Sequence, residues 1–251
     1  MAESLSALVQ SAFGEADELR PLVRDLRVRD FQSVTLGSLD FGSASEIGDD
    51  QPLPTLGFAI RQAARAGALK EFGGAIGFSR KTMSVFSDQI PAAFADHAAL
   101  TLPAVERRLL AQALEGADCP TVTASGLDVS SLAAAGVLMR NSTNASGQIL
   151  NLAAKTLIVP AEMETTARVL REAMGARDLA LLVIPELSAP AKYWLACDPR
   201  RSAPITRLRL MGGTTPTVYR YVTPEGNTKL ALRLETDILY SGQPGLIRGG
   251  S

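Results

Sequence analysis

The segment from Phe31 to Phe78 constrains the fold of this chain more than any other part. Glycines recur throughout it, and Pro52 and Pro54 interrupt its middle. Glycine lowers helix stability and proline removes a backbone donor, so this segment cannot form a compact unit of packed helices. A connection of this length inside a compact domain is uncommon and usually has a function. We therefore expect a loop that projects from the body of the protein.

Apolar residues at both ends of the segment indicate two strands that flank the projecting part. They are Val34, Leu36 and Leu39 on one side, and Ala75, Ile76 and Phe78 on the other. Between them, we predict a short helical piece around Phe58 to Ala66. The expected loop is therefore bounded by two strand arms and carries some helix of its own.

The amino terminus repeats an amphipathic helical spacing twice. The first set is Leu5, Leu8, Val9 and Ala12, and the second is Leu19, Leu22, Val23 and Leu26. Gly14 can end the first helix, whereas Pro21 limits how regular the second can be. We expect a partly helical arm whose apolar stripes need a partner surface outside the arm.

The longest predicted helix follows this loop. Ser87 or Asp88 can cap it, and it runs to about Gly116. Its apolar stripe consists of Leu102, Val105, Leu109 and Ala113. Pro103 lies within the helix, so we expect either a kink or two abutting helices near that residue.

The second half of the chain alternates strands with helices. Asp128 is a candidate N-cap for a helix bearing Leu132 and Met139. Beyond it, Thr156–Val159 is a predicted buried strand. A helix is predicted to begin at Pro160 and to end at Gly175, and 179–184 is a second predicted strand. This order predicts a strand-helix-strand crossover unit.

The carboxy-terminal part is predominantly strand. Tyr193–Cys197 forms a short predicted strand, and Thr217–Val222 and 229–238 flank a turn at 224–227. Alternating apolar and charged residues in the last of these segments indicate one half of a hairpin. The chain is therefore predicted to be α+β with mixed sheets, and no linker separates independent domains.

Composition excludes several classes of function. The 25 basic and 26 acidic side chains give a formal net charge of -1. The chain as a whole therefore has no electrostatic field that would attract nucleic acid or an anionic membrane. Any nucleic-acid contact is expected to be local or weak. Cys119 and Cys197 belong to no paired motif, which argues against a disulfide scaffold or a thiolate zinc site. A reducing compartment fits best, and the start of the sequence has no secretory pattern.

Residues typical of catalysis are sparse. His97 is the only histidine, which excludes any scheme within one chain that needs two imidazoles. The run 73–77 lacks the lysine of a phosphate-binding loop, so we interpret it as a place where two backbones approach closely. The pair Asp49 and Asp50 is interpreted as a solvated loop tip. We predict no catalytic, cofactor-binding or metal-binding residues, although an enzyme or binding protein with an unrecognised pocket stays an alternative.

An ordered series of segments resembles one known family. In the carboxy-terminal half it comprises 150–152, 156–167, 184–187, 193–195 and 197–199, and upstream it comprises 74–80 and the helix after Ser87. Together they resemble the major head subunits of Mu-like phages, which have the Hong Kong 97-type capsid fold. The sequence departs from the family at Tyr240–Gly242, where an arginine-glycine ending is usual.

This resemblance implies a division into four parts. They are an amino-terminal arm (1–33), an extended loop (34–78), a peripheral domain with a long spine helix and long strands (79–125 and 205–251), and an axial domain with a mixed sheet (126–204). It also implies a shell protein without catalytic activity or cofactor, which forms hexamers and pentamers around double-stranded DNA. The implied setting is the virion, assembled in the bacterial cytoplasm with scaffold, protease, portal and decoration proteins and without a membrane.

Seven residues are candidates for contacts between subunits. They are Leu5, Leu8, Arg29, Asp49, Asp50, Arg61 and Arg65. The two arginines four residues apart, Arg61 and Arg65, can meet acidic groups of a neighbour or DNA, or simply face solvent. The resemblance also fits a second kind of shell, an encapsulin-like bacterial compartment that encloses cargo protein instead of a genome.

Overall fold

The computed structural model describes residues 2–41, 58–124, 126–189, 191–212 and 216–250. The helices are α1 (Ala2–Glu15), α2 (Arg80–Val85), α3 (Gln89–Glu115), α4 (Val129–Arg140) and α5 (Glu164–Ala173). The strands are β1 (Arg24–Val28), β2 (Val34–Phe41), β3 (Phe58–Gly67), β4 (Lys70–Phe78), β5 (Thr121–Val122), β6 (Ala154–Val159), β7 (Ala180–Val183), β8 (Tyr193–Cys197), β9 (Ile205–Leu210), β10 (Thr217–Val222), β11 (Thr228–Tyr240) and β12 (Leu246–Gly249).

The first sheet is organised around the long strand β11. Strands β10 and β9 lie on one side of β11, with β1 beyond β9, and β4 pairs with its other side. Strand β1 is parallel to β9, whereas β4, β9 and β10 are antiparallel to β11. The predicted hairpin of β10 and β11 is confirmed. Helices α1 and α3 pack together on this sheet.

The second sheet has the strand order β5-β12-β8-β6-β7. Parallel pairing of β6 with β7 across α5 confirms the predicted strand-helix-strand unit. Because successive side chains of a strand point to opposite faces, Trp194 packs towards α3 and Tyr193 towards α4 and α5, and both are fully buried. The sheet is therefore covered on both faces. Helix α3, the predicted spine helix, covers one face, and α4 and α5 cover the other.

Two boundaries of this sheet differ from the sequence interpretation. Pro160 precedes a short 3-10 turn, Ala161–Met163, and α5 begins only at Glu164. Leu246–Gly249, which was grouped with the peripheral domain, pairs with β5 and β8 in the second sheet. The four-part division of the chain stays a prediction.

The long helix α3 is continuous through the proline in its interior. Pro103 is buried within it, so the chain forms one helix there and not two abutting ones. The proline leaves one backbone carbonyl of the preceding turn without its helical donor. Burial of Leu102, Leu109 and Leu110 against the strands offsets this loss, because most helix stability in proteins comes from tertiary packing.

Helix α4 begins at the predicted cap. The Asp128 side chain accepts a hydrogen bond from the Ser131 backbone N–H at 2.6 Å, and the Ser131 hydroxyl accepts one from the Asp128 N–H at 3.1 Å. The Ser131 N–H and the Ser130 hydroxyl lower the pKa of Asp128 below its usual value. This capping box fixes where the helix starts.

The arm contains one of the two predicted helices. Helix α1 is confirmed, but the second helix is wrong, since 19–22 form turns and β1 follows from Arg24. Leu19, Leu22 and Val23 are buried against a surface outside the arm, as expected. That surface is the apolar core beneath α3 of the same subunit. Pro21 prevents regular helix, and pairing with β9 supplies the backbone hydrogen bonds that a helix would have provided.

The helical piece predicted at Phe58 to Ala66 is also wrong. These residues form β3, which pairs antiparallel with β2 from Phe41↔Phe58 to Val34↔Gly67. The register shifts between Thr35 and Gly37. Strand pairing overrides the helix propensity of the alanines here, as tertiary context commonly does. The predicted loop is thus built on a two-stranded hairpin.

The glycine-rich run lies in β4 at a close approach of two strands. A Cβ atom on Gly73 would meet the backbone carbonyl of Leu232 in β11, whereas one on Gly74 would meet nothing within 4 Å. The prediction that glycine permits close backbone approach here is confirmed.

Gly73→Ala is expected to lower the free energy of unfolding by about 1–3 kcal/mol, the usual range for overpacking. Gly74→Ala, one residue away in the same strand, is expected to change it by no more than about 0.5 kcal/mol. Urea unfolding followed by the fluorescence of Trp194, the only tryptophan, measures both. Equal stability of the two variants would contradict the close approach.

The two cysteines are buried and form no disulfide. They belong to different apolar clusters, Cys119 beneath α3 and Cys197 beneath α4. Burial raises the pKa of each thiol to about 11. Both thiols therefore stay protonated at neutral pH and act as small apolar side chains.

Candidate assembly surfaces

A buried ionic cluster fastens the arm to the body. We call it the arm-anchoring cluster, and it consists of Asp17, Asp25, Glu106, Arg207 and Arg209. Arg207 donates to both oxygens of Asp17 at 2.9 Å, to Asp25 at 2.6 Å and to Glu106 at 3.0 Å. Arg209 contacts the other Glu106 oxygen at 2.7 Å. One arginine of β9 thus joins two carboxylates of the arm to the spine helix.

The charges of this cluster are shielded from water to different degrees. The side chains of Arg207 and Glu106 are 4% and 2% exposed, whereas Asp25 is 51% exposed. Burial disfavours the charge on Arg207, but hydrogen bonds to Asp25 and Asp17 and the charge of Glu106 outweigh it and raise its pKa. For Arg209, burial lowers the pKa and Glu106 opposes that effect. Arg207 is therefore the central group of the cluster.

Helix α1 is seated on α3 by apolar contacts. Val9 and Phe13 are buried among residues of α3 and β11, and the Arg209 guanidinium lies 5.6 Å from the centre of the Phe13 ring. Leu5 is only 5% exposed, so its side chain is already covered within its own subunit. Leu8 is 50% exposed and remains available to a neighbour. Arg29, directly after β1, is also exposed.

The hairpin of β2 and β3 leaves the body at a small apolar base. Val28, Leu36, Leu69 and Leu208 are buried together there and connect the arm, the hairpin and the first sheet. Within the described residues, β2 and β3 pair only with each other. The candidates Arg61 and Arg65 lie on β3. Asp49 and Asp50 lie outside the described residues.

Sequence reasoning missed several exposed apolar side chains on α4, on the loop after it and on α5. Val137 and Ile149 are 59% and 63% exposed, and Val169 of α5 is 60% exposed. The sequence did contain a signal for the exposed Val137, because α4 carries no charged residue before its last position, Arg140. Exposed apolar patches on soluble proteins commonly mark interaction surfaces.

The cavities of the described residues show no arrangement typical of catalysis. One of about 740 Å³ lies between the end of α3 and β11 at the hairpin base, with Lys70 and Asp237 as an ion pair at its wall. His97 is exposed at the rim of an apolar groove between α3 and β4. Among these residues, no group of three or more histidine, cysteine or acidic side chains is placed to hold a metal ion. None of the helices in this part of the chain is long and apolar enough to cross a membrane.

Known structures share this architecture at low sequence identity. A virus-like particle from Pyrococcus furiosus matches with a TM-score of 0.67 and 12% identity, covering 98% of this chain and 97% of that one. The capsid of Helicobacter pylori bacteriophage KHP30 matches at 0.62 and 9%, covering 91% and 87%. The SrpI encapsulin of Synechococcus elongatus matches at 0.61 and 9%, covering 92% and 86%. These similarities confirm the Hong Kong 97-type fold.

Sequence comparison identifies the family. No curated protein matches the chain. The family described as "Phage capsid protein" matches residues 62–240, more than two thirds of the 251 residues. This family and its fold are structural and not enzymatic. The chain belongs to the phage capsid protein family.

Proposed function

We propose that this chain is the major head subunit of a tailed phage. In this role it forms hexamers and pentamers that close into an icosahedral shell around double-stranded DNA. The observation that carries the proposal is the match to the phage capsid family across residues 62–240. The setting that follows is the virion, assembled in the bacterial cytoplasm.

The surfaces described above support self-association. A two-stranded hairpin has little stability alone in water, and at the base of this one Leu36 and Leu69 are buried against Val28 and Leu208. Permanent assemblies commonly bury more than roughly 2,000 Å² per interface. A hairpin laid over a neighbouring subunit would supply part of that area and would itself be stabilised.

Charge along the chain favours contact between one subunit's loop and another's arm. Residues 30–60 contain five acidic side chains and no basic ones, and Asp49 and Asp50 are among them. Residues 20–29 contain four arginines, including Arg29, and one aspartate. Opposite charges set the register of an interface more than its strength. We include Leu8, Arg61 and Arg65 in the same set of proposed contacts.

The near-neutral net charge suits a dense shell. A formal charge of -1 lets many copies pack without strong self-repulsion. Contacts with packaged DNA are then local and non-specific. Scaffold, protease, portal and decoration proteins are the further partners in this proposal, and no cofactor is required.

An encapsulin-like compartment is the second candidate. The fold similarity to the SrpI encapsulin favours it. The two shells differ in content, because an encapsulin-like particle would enclose protein cargo and a phage head would enclose a genome.

Nuclease protection separates the two candidates. Particles containing this chain are purified from infected cells, treated with nuclease, and then opened by heat. We expect double-stranded DNA of uniform length that resists nuclease before opening and is degraded afterwards. Closed particles that protect a defined protein and no DNA would favour the encapsulin-like candidate and contradict the phage head.

A further inference from the structure

The cavity at the base of the hairpin lies where three parts of the subunit meet. Its volume is about 740 Å³, and its wall is formed by residues within 66–70, where the hairpin joins β4, within 109–118 at the end of α3, and within 237–242 at the end of β11. Pockets that hold small molecules usually have about 300–1,000 Å³. The cavity is therefore large enough for a small organic ligand.

One carboxylate in the wall is buried but has an oxygen without a donor. The side chain of Asp237 is 4% exposed, and its Oδ1 accepts hydrogen bonds from the Lys70 ammonium and the Ile238 N–H, both at 3.1 Å. Its Oδ2 has no hydrogen-bond donor among the described residues. Because burying a charged oxygen without a donor is costly, a donor that enters the cavity would bind favourably at this atom.

The charges of the wall make the cavity acidic. Asp118, shortly after α3, is exposed and forms no ion pair with the described residues. Lys70 is the one cation among the described residues of the wall, its side chain is 54% exposed, and it is already paired with Asp237. Two carboxylates and one ammonium give the wall a formal charge of -1. The charge of the cavity therefore favours a cation over an anion.

The remainder of the wall is mostly apolar. Its apolar side chains are Leu69, Leu109, Ala113, Ile238 and Leu239. Such a surface gains from covering an aliphatic chain, whereas a bare metal ion would make no use of it. The wall as a whole therefore matches a ligand with a cationic end and an aliphatic body.

We propose that this cavity binds an aliphatic cation, whose ammonium or guanidinium group meets the Oδ2 atom of Asp237 and the carboxylate of Asp118. The carbon chain of the ligand lies on the apolar wall. Two sources have this chemistry, a free polyamine and a lysine or arginine side chain of a neighbouring subunit. A bound cation would join the hairpin base to α3 and β11. The site belongs to the single subunit, so it does not depend on the proposed function.

Titration calorimetry of the dispersed full chain with 1,5-diaminopentane tests the site. Asp237→Asn is expected to weaken binding roughly tenfold or more, because it removes a charged hydrogen-bond acceptor. Asp96→Asn makes the same change at an exposed position of α3 outside the cavity, and we expect it to bind like the wild type. 1-Pentanol has the aliphatic chain without the charge, and we expect it to bind at least about tenfold more weakly than the diamine.

A second variant leaves every charge of the cavity in place. It is needed because Asp237→Asn also removes the partner of Lys70 and can therefore alter the fold. Ala113→Phe fills the cavity from α3, and we expect it to abolish binding. Circular dichroism and Trp194 fluorescence check that both variants are folded.

Three results would overturn the proposed site. They are a wild-type chain that gives no saturable binding of the diamine, wild-type affinity in a folded Ala113→Phe variant, and equal affinity of the wild-type chain for magnesium chloride. The source of the cation follows from the state that binds it. Binding of the diamine to dispersed subunits but not to assembled particles would assign the cation to a side chain of a neighbour, whereas binding to both would assign it to a free polyamine.

Discussion

Arg207→Ala is expected to lower the free energy of unfolding by about 3–5 kcal/mol, the usual cost of breaking a buried ion pair by removing one partner. The substitution leaves Asp17 without the guanidinium that it meets through both oxygens, and it leaves Glu106 with Arg209 and the Thr236 hydroxyl. Asp25 contributes less, because it is half exposed and water can solvate it. Urea unfolding of dispersed subunits, followed by Trp194 fluorescence, measures the loss.

Two control variants separate geometry from charge. Arg207→Lys keeps the positive charge but loses the planar fork, so we expect a smaller loss than for alanine. Arg168→Ala removes an exposed pair with Glu164, and we expect a change of no more than about 0.5 kcal/mol. If Arg207→Ala were as stable as Arg168→Ala, the cluster would not anchor the arm.

Replacing residues 42–57 by Asn-Gly is expected to abolish shell assembly while leaving the subunit folded. Phe41 and Phe58 are directly paired in the hairpin, and Asn-Gly forms the two-residue turn that joins such strands. The strand-helix-strand unit and the arm-anchoring cluster are unaffected. Circular dichroism and Trp194 fluorescence test the fold, and sedimentation tests assembly.

A second loop variant shows which property of the loop matters. Replacing residues 42–57 by a Gly/Ser segment of equal length keeps the reach of the loop and removes its side chains, including Asp49 and Asp50. We expect this variant to assemble poorly as well, since the contacts depend on those side chains. Normal shells from the shortened chain would show that the loop does not bind neighbours.

Elements with a long, one-sided apolar period were predictable from the sequence. Helices α1, α3 and α4 and the β6-α5-β7 unit follow from periodicity and caps such as Asp128. The wrong predictions were short segments whose conformation depends on a partner strand. Residues 58–66 favour helix locally but pair with β2, and β1 forms because β9 is available.

The candidate assembly surfaces were only partly predictable. Leu5 and Leu8 were equivalent by spacing, but only the position of α1 on α3 shows that Leu5 is already covered. The arm-anchoring cluster joins Asp17 to Arg207 through the register of β1 with β9, and no local pattern encodes that register. The absence of charged residues in α4 before Arg140 was visible in the sequence, but the exposure of Val137 depends on how the helix lies on the second sheet.

The most direct test of the central claim is to express the chain in bacteria, with its scaffold or protease where needed, and to image the product by electron microscopy alongside sedimentation. We expect closed shells with hexameric and pentameric rings and little free subunit. A stable, folded monomer that forms no shells under any of these conditions would contradict it.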